Sequence, residues 1–315
     1  FDRRDKAQFN EEELIGRYFG QRGGLMIDVG ANFGNSLDIY LGKGWQVHAF
    51  EPDPNNRQKL LETWPDCDRL TVNSNAVSDE AGQKVAFYAS EESTGISGLS
   101  AFTAGHKKIG EVETTTLTDY YRSSGLEHVD FLKIDVEGFD KFVLDGFPWS
   151  IDKPEVVLAE FEDAKTVPLG YTMHDLANLL IEQGYSVYVS EWMPIIRYGI
   201  AHDWRQMLRY SSDLDLSDTW GNLMGFHQDP GDEFIARLTK QTLKFDSKPV
   251  ALKPAGSDRS NGWDSASAVV SELDRLWVLS LIQESRAKKS GFLRKKPPEI
   301  GVGTALEELV RIARE

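Results

Sequence analysis

The chain has 315 residues, 40% hydrophobic and 11% aromatic, enough apolar material for one large core with residues left for an appendage. Its formal net charge of -15 opposes polyanionic partners, so nucleic acid is not an expected partner. Cys67 is the single cysteine, which removes an intrachain disulfide framework and a cysteine zinc cage.

No apolar run approaches the roughly 20 residues that a bilayer crossing needs, so the expectation is a soluble, cytoplasmic protein with no transmembrane segment. The chain starts at Phe1 with neither an initiator Met nor a signal-peptide core, and is read as a piece of a longer protein.

Residues 1–23 read as a helical lead-in. From Leu25 to Phe161, short apolar runs alternate with segments of helical period, the pattern of a parallel sheet covered on both faces. The spacing predicts strands over Leu25–Val29, Gln46–Phe50, Leu70–Asn73, Phe131–Ile134 and Val156–Glu160, each ending in polar residues or glycine. In such doubly wound α/β sheets, ligands sit off the carboxyl ends of the strands. The Ser-, Thr- and Gly-rich segment Ser90–Gly105 interrupts the alternation and is expected to be a functional loop or lid. Met173–Gln183 has helical spacing and stops at Gly184, before a strand over Tyr185–Val189.

These elements place one catalytic domain over residues 24–230. Beyond about Asp229 the character changes. Asp246–Ser267 reads as a linker, and Val269, Leu273, Leu276, Trp277 and Leu281 then share one helical face. A basic patch over Lys288–Pro298 leads to a last helical segment, Thr304–Glu315. This extension, residues 231–315, is a candidate surface for a partner domain or a homo-oligomer.

The first candidate site is the turn Asp28-Val29-Gly30-Ala31-Asn32-Phe33-Gly34, which leaves a strand and enters a helix near Ser36. Gly30 lets the backbone approach a ligand, and Asn32 and Gly34 tolerate unusual dihedrals at an open helix N-terminus. Phe50-Glu51-Pro52 places a carboxylate 21 positions after Gly30, near the spacing at which an acid accepts both hydroxyls of a bound ribose. A nicotinamide dinucleotide and S-adenosylmethionine both fit such an acid. Asn32 stands where the dinucleotide fingerprint needs a second glycine beside the pyrophosphate, which favours the cofactor without phosphates. Asn75-Ala76-Val77-Ser78, after the third strand, is a candidate contact for the adenine edge, with an ordinary turn as its plainer reading.

The second site is Lys133-Ile134-Asp135-Val136-Glu137-Gly138-Phe139-Asp140. Carboxylates and an ammonium at the end of a buried strand are costly unless paired or functional, and a structural Lys133–acid pair is the plainer alternative.

Taken together, Asp28-Val29-Gly30-Ala31-Asn32, Phe50-Glu51-Pro52, Asn75-Ala76-Val77-Ser78, Leu132 through Asp140 and Pro154 through Glu160 resemble the FkbM-type methyltransferases in residues, order and spacing. The resemblance covers roughly residues 24–190 and stops short of the tail. It implies a doubly wound, mostly parallel, seven-stranded class I methyltransferase sheet, S-adenosylmethionine as donor, and O-methylation of a sugar, glycan or related metabolite. It also implies that Asp28, Gly30, Asn32 and Glu51 hold the cofactor and that Asp135 faces its methionine end or the acceptor. Gly34, Pro52, Asn75 and Ala76 complete the expected cofactor set.

An alcohol must lose its proton during methyl transfer, and Asp135 or Glu137 is the candidate base. In a second arrangement, Asp135, Glu137 and Glu160 bind Mg²⁺, which acidifies the hydroxyl instead. His106, in the Ser/Gly-rich loop, and His174 or His202 are further candidate bases, although a lone histidine is more often structural. The stretch Glu191–Tyr198 with Trp204 is a candidate wall for stacking a sugar, against a plainer reading as core or subunit contact. A nicotinamide-dependent oxidoreductase and a catalytically silent methyltransferase-like module of a larger assembly are the alternatives to an O-methyltransferase.

Overall fold

The computed structural model of the chain describes residues 6–90, 98–99, 106–195 and 202–245. Its centre is an eight-stranded sheet of β1 (Leu25–Val29), β2 (Gln46–Phe50), β3 (Leu70–Asn73), β4 (Phe131–Ile134), β5 (Val156–Glu162), β6 (Ser186–Trp192), β7 (Trp204–Arg209) and β8 (Trp220–Phe226). The spatial order is β7-β6-β8-β5-β4-β1-β2-β3. Strands β1 to β5 are mutually parallel, whereas β8 runs antiparallel to both β5 and β6. Chain progression reverses direction between β1 and β4, which opens a crevice at their carboxyl ends.

The helices are α1 (Glu11–Phe19), α2 (Leu37–Leu41), α3 (Pro54–Thr63), α4 (Leu117–Ser124), α5 (Asp140–Asp145), α6 (Asp163–Thr166), α7 (Met173–Glu182) and α8 (Asp232–Thr242). Strand alternation divides the core between two faces. Ile27, Val29, Leu132 and Ile134 pack against Leu117, Leu144, Leu176 and Leu180 of α4, α5 and α7. Met26, Val47, Ala49 and Phe131 pack against residues of α1, α2 and α8, including Ile15, Tyr40 and Leu238. Local sequence sets the helix starts. Asp53 accepts from the backbone N–H of Asn55 at 2.8 Å ahead of Pro54, and Thr172 and Asp175 form a reciprocal capping box at α7.

The first four strands have the expected bounds, and β5 and β6 run further, to Glu162 and Trp192. The resemblance implied seven strands; the sheet has an eighth, because β7 pairs antiparallel along the outer edge of β6. In a separate sheet, Lys84–Ser90 and His106–Thr115 form an antiparallel arm, and Ala76–Val77 pairs parallel with Thr114–Thr115.

Residues on both sides of the expected 24–230 domain join the same core. Leu14, Ile15 and Phe19 of the lead-in and Ile235 and Leu238 of α8 share one cluster, and Ala7–Gln8 pairs with Lys244–Phe245. The linker from Asp246, the Val269–Leu281 helix, the basic patch and the last segment lie outside the described residues. Among the described residues, no helix is long and apolar enough to cross a membrane.

Candidate active site

The turn after β1 is built by backbone geometry. Gly30 has φ +86° and its N–H donates to the Phe50 carbonyl at 3.0 Å; a Cβ there would lie 1.9 Å from the Asp135 carbonyl oxygen. Asn32 is left-handed at φ +50°, and its N–H donates to Glu51 Oε2 at 2.7 Å. Glu51 Oε1 accepts from the Asp53 N–H at 2.8 Å. The Glu51 carboxylate is thus fixed at both oxygens by main chain, and its burial raises its pKa to about 7.

A cavity lies at the carboxyl ends of β1, β2 and β4. Of the expected residues, Gly30, Asn32, Glu51, Pro52, Asn75, Ala76, Asp135 and Glu137 line it together. Asp28 and Gly34 do not line it. Asp28 is fully buried and accepts from the Ser36 hydroxyl and from Lys133 Nζ, the latter at 3.2 Å. Gly34, at φ +81°, faces Leu37, Leu60 and Trp64. Both residues support the turn from behind. Ser78 is buried and donates through its hydroxyl to Asp79 at 3.0 Å, as its plainer turn reading has it. Gly98 and Leu99, inside the expected lid, also line the cavity, and Gly98 is bridged to Tyr88 of the arm. The rest of that segment from Glu91, and the His106 side chain, lie outside the described residues.

The second site forms where β4 turns into α5. Asp135 remains 46% exposed at the cavity, whereas Glu137, at φ +56°, is buried. Asp135, Glu137 and Glu160 present carboxylate oxygens within 4.8 Å of one another. Each already has a lysine near it. Lys133 Nζ lies 3.7 Å from Asp135; Lys165 Nζ lies 2.6 Å from Glu137, 3.4 Å from Glu160 and 2.7 Å from Glu162. Burial drives the Glu137 pKa well above its ordinary value against the opposing pull of Lys165, and burial raises Glu160 to about 7. Burial also holds Asp140 well above the carboxylate range, with Glu160 and Asp135 adding to the effect.

Sequence reasoning missed Lys165, Asn56 and Phe87, the last two on the cavity wall. Lys165 stands three residues after Glu162, an ion-pair spacing visible in the sequence. Asn56 follows the Asp53-Pro54 cap, so it falls in the first turn of a helix that starts beside Glu51. Nothing local marks Phe87, which reaches the cavity from the arm.

The other candidate bases lie elsewhere. His174 Nδ1 is 2.9 Å from the Tyr210 hydroxyl and its Nε2 is 3.1 Å from the Leu214 carbonyl, and His202 stands edge-on to Trp220. Of the aromatic stretch, Trp192 is buried with Trp204 in the core, whereas Met193 and Pro194 are exposed. Trp192 stacks on Trp220 with centroids 5.3 Å apart, and Trp204 stacks on Phe9 at 4.6 Å. Residues 196–198 of the stretch lie outside the described residues.

Two features of the cavity bear on which cofactor suits it. Its wall carries Glu51, Asp135 and Glu137, and no lysine or arginine among the described residues, which suits a cationic cofactor and opposes a pyrophosphate. Asn32 Oδ1 is buried without a partner, an acceptor that a ligand donor would satisfy. A parallel sheet that reverses at β1/β4, carries the antiparallel β8 between β5 and β6, and holds an acid-lined cavity at its switch point is the architecture of a class I, S-adenosylmethionine-dependent methyltransferase domain. Residues 28–187 match the methyltransferase FkbM domain, and the chain belongs to that family.

The chain is similar to the 2-O-methyltransferase NoeI of Sinorhizobium fredii, with 26% identity over 155 residues, covering 44% of this chain and 63% of that protein. It thus spans less than two thirds of that relative's length. Among solved structures it is similar to a precorrin-6y C5,15-methyltransferase from Geobacter metallireducens, at 12% identity, TM-score 0.37, 69% of this chain and 86% of that one. Another is a 1,6-didemethyltoxoflavin-N1-methyltransferase from Burkholderia thailandensis, at 12% identity, TM-score 0.35, 70% of this chain and 78% of that one.

Proposed function

We propose that this chain transfers a methyl group from S-adenosylmethionine to a hydroxyl of a sugar, glycan or related small acceptor. The observation that carries the reading is the placement of Glu51 and Asp135 on one cavity wall, the first fixed by two backbone N–H groups and the second open to solvent.

Glu51 keeps lone pairs free to accept from ribose hydroxyls, and Pro52, Ala76 and Phe87 offer apolar surface to an adenine. Asp135 supplies negative charge where the cofactor's cationic end is expected, with the Gly30 backbone on the same wall. Bound there, S-adenosylmethionine supplies an electrophilic methyl group. Asp135, the most exposed acid of the wall, is positioned to orient an acceptor hydroxyl and take its proton. The 2-O-methyltransferase named above supports oxygen as the acceptor atom, and the absence of basic residues from the described wall disfavours a phosphorylated acceptor beside the acids.

The test is incubation of the purified chain with isotope-labelled S-adenosylmethionine and a panel of sugars and glycans, with mass spectrometry to locate the label. A methyl ether that disappears in Asp135→Asn supports the reading. Methylation at nitrogen, or calorimetric binding of NAD without binding of S-adenosylhomocysteine, overturns it.

A further inference from the structure

We infer that the Lys165 ammonium is the built-in cation of this site: it holds Glu137, Glu160 and Glu162 together where a divalent ion would otherwise sit, so that methyl transfer needs no metal. The inference rests on the cavity being the methyl-transfer site, and it makes Lys165 a positioning residue for the carboxylates beside it.

Asp135, Glu137 and Glu160 have the oxygen chemistry and the mutual spacing of a hard-cation site. Against two of them, Glu137 and Glu160, sits an amine. Lys165 Nζ lies 2.6 Å from Glu137, 2.7 Å from Glu162 and 3.4 Å from Glu160, distances of ammonium–carboxylate pairing. The third acid of the set, Asp135, faces the other buried lysine, Lys133, at 3.7 Å. All three oxygen donors that a metal would recruit therefore have a fixed positive charge within 4 Å. Lys165 is only 6% exposed, so a second cation on the same oxygens would meet a repulsion that solvent screens poorly.

The backbone is shaped around this amine. Lys165 belongs to α6, immediately after β5, and must cross to the end of β4 to reach Glu137. Gly138, at φ +94°, has no side chain in its way, and a Cβ there would lie 3.2 Å from the Lys165 Cβ. Glu137 itself holds a left-handed φ of +56°, a conformation that costs a non-glycine residue energy and persists where the surroundings enforce it. The Glu137-Gly138 pair thus reads as the device that turns one carboxylate toward Lys165 and clears the path for its stem.

The experiment titrates Mn²⁺ into the full chain, followed by the loss of the free-ion electron paramagnetic resonance signal. Wild type, Glu137→Gln, Lys165→Ser and Lys165→Arg are compared, and S-adenosylhomocysteine binding is measured on each. Wild type is expected to take up no more Mn²⁺ than Glu137→Gln does. Lys165→Ser is expected to gain one site at least about tenfold tighter than that background, a gain lost when Glu137→Gln is added, while Lys165→Arg behaves as wild type. One equivalent of Mn²⁺ bound by wild type and lost in Glu137→Gln overturns the inference, as does a Lys165→Ser protein that binds S-adenosylhomocysteine but takes up no Mn²⁺. Should Lys165→Ser fail to fold, the wild-type comparison with Glu137→Gln decides alone. Failure of wild type to bind S-adenosylhomocysteine would count against the methyltransferase reading instead, a separate readout.

Discussion

The backbone N–H of Asn32 donates to Glu51 Oε2 at 2.7 Å, tying the glycine turn after β1 to the acid after β2. The bond needs the left-handed backbone of Asn32, and it leaves the Asn32 side-chain oxygen buried without a partner on the same cavity. Removing the carboxylate should therefore have two effects: it deletes the proposed ribose acceptor and strands the N–H groups of Asn32 and Asp53. Glu51→Ala is expected to weaken S-adenosylhomocysteine binding by roughly 5- to 150-fold, about 1–3 kcal/mol. Calorimetry on a variant shown to be folded checks this, and an affinity within twofold of wild type would remove Glu51 from the pocket.

The same acid predicts a pH dependence. In the folded, ligand-free chain, burial lifts Glu51 to about 7 from an ordinary value of 4.5. The folded state therefore holds a proton that the unfolded state has released, so this stability contribution is complete below about pH 4.5 and is lost as pH rises through 7. The loss is on the order of 3 kcal/mol for a shift of this size. Glu160, also raised to about 7, acts in the same direction. Urea unfolding between pH 5 and pH 8 should show stability falling, with a shallower fall in Glu51→Gln. Cofactor affinity should move oppositely, because the ionised carboxylate is the better acceptor, and should rise up to about tenfold from pH 6 to pH 8.

Two glycines with similar dihedrals separate the cost of backbone strain from the cost of a close approach. Gly82 has φ +72° with nothing within 4 Å of a built Cβ, whereas at Gly30, with φ +86°, that atom meets the Asp135 carbonyl at 1.9 Å. Gly82→Ala should lose only the left-handed penalty, about 1–2 kcal/mol. Gly30→Ala must also push apart the ends of β1 and β4, and is expected to lose more than about 3 kcal/mol together with cofactor binding. Equal urea midpoints for the two variants would contradict this account.

Much of this site was legible because each piece is local. The strands β1, β2 and β4 are short apolar runs with both faces covered, and the spacing from Gly30 to Glu51 follows from one strand–helix–strand unit. Strand alternation was the signal that would have moved Asp28 off the cavity: Met26 and Asp28 share one face while Ile27 and Val29 point to the other, so Asp28 faces α2. Lys165 could not be found the same way. Its meeting with Glu137, 28 residues earlier, depends on β4 and β5 being neighbours and on a left-handed residue after β4. The core role of the tryptophans could not be chosen over the sugar wall for a related reason. Their partners, Phe9 and Glu11, come from the far end of the chain.

The Asp28–Lys133 pair supports the turn through charge. The two residues stand opposite each other on β1 and β4, both buried, with Nζ to Oδ1 at 3.2 Å. Burial pulls the Lys133 pKa down, but Asp28, Asp135 and Glu12 outweigh it and keep the amine charged. Lys133→Met should cost about 3–5 kcal/mol by leaving Asp28 uncompensated, and adding Asp28→Asn should restore part of that loss. A double variant no more stable than Lys133→Met would show that the pair does not act as a unit.

Glu11 Oε1, at the start of α1, accepts from Ser190 Oγ at 2.7 Å, Trp192 Nε1 at 2.8 Å and Asn222 Nδ2 at 3.2 Å. Trp204 Nε1 in turn donates to Ser190 Oγ at 2.9 Å. One buried carboxylate thus fastens the lead-in helix to β6 and β8, and it orients the Trp192 indole directly and the Trp204 indole through Ser190. Glu11→Ala strands these donors and should destabilise the chain by about 2–4 kcal/mol, while S-adenosylhomocysteine affinity stays within about twofold because no member of this network lines the cavity. Urea unfolding and calorimetry on the same preparation separate the two effects. A variant as stable as wild type but impaired in acceptor methylation would return the indoles to substrate recognition, since the network would then be dispensable for folding and needed for the reaction.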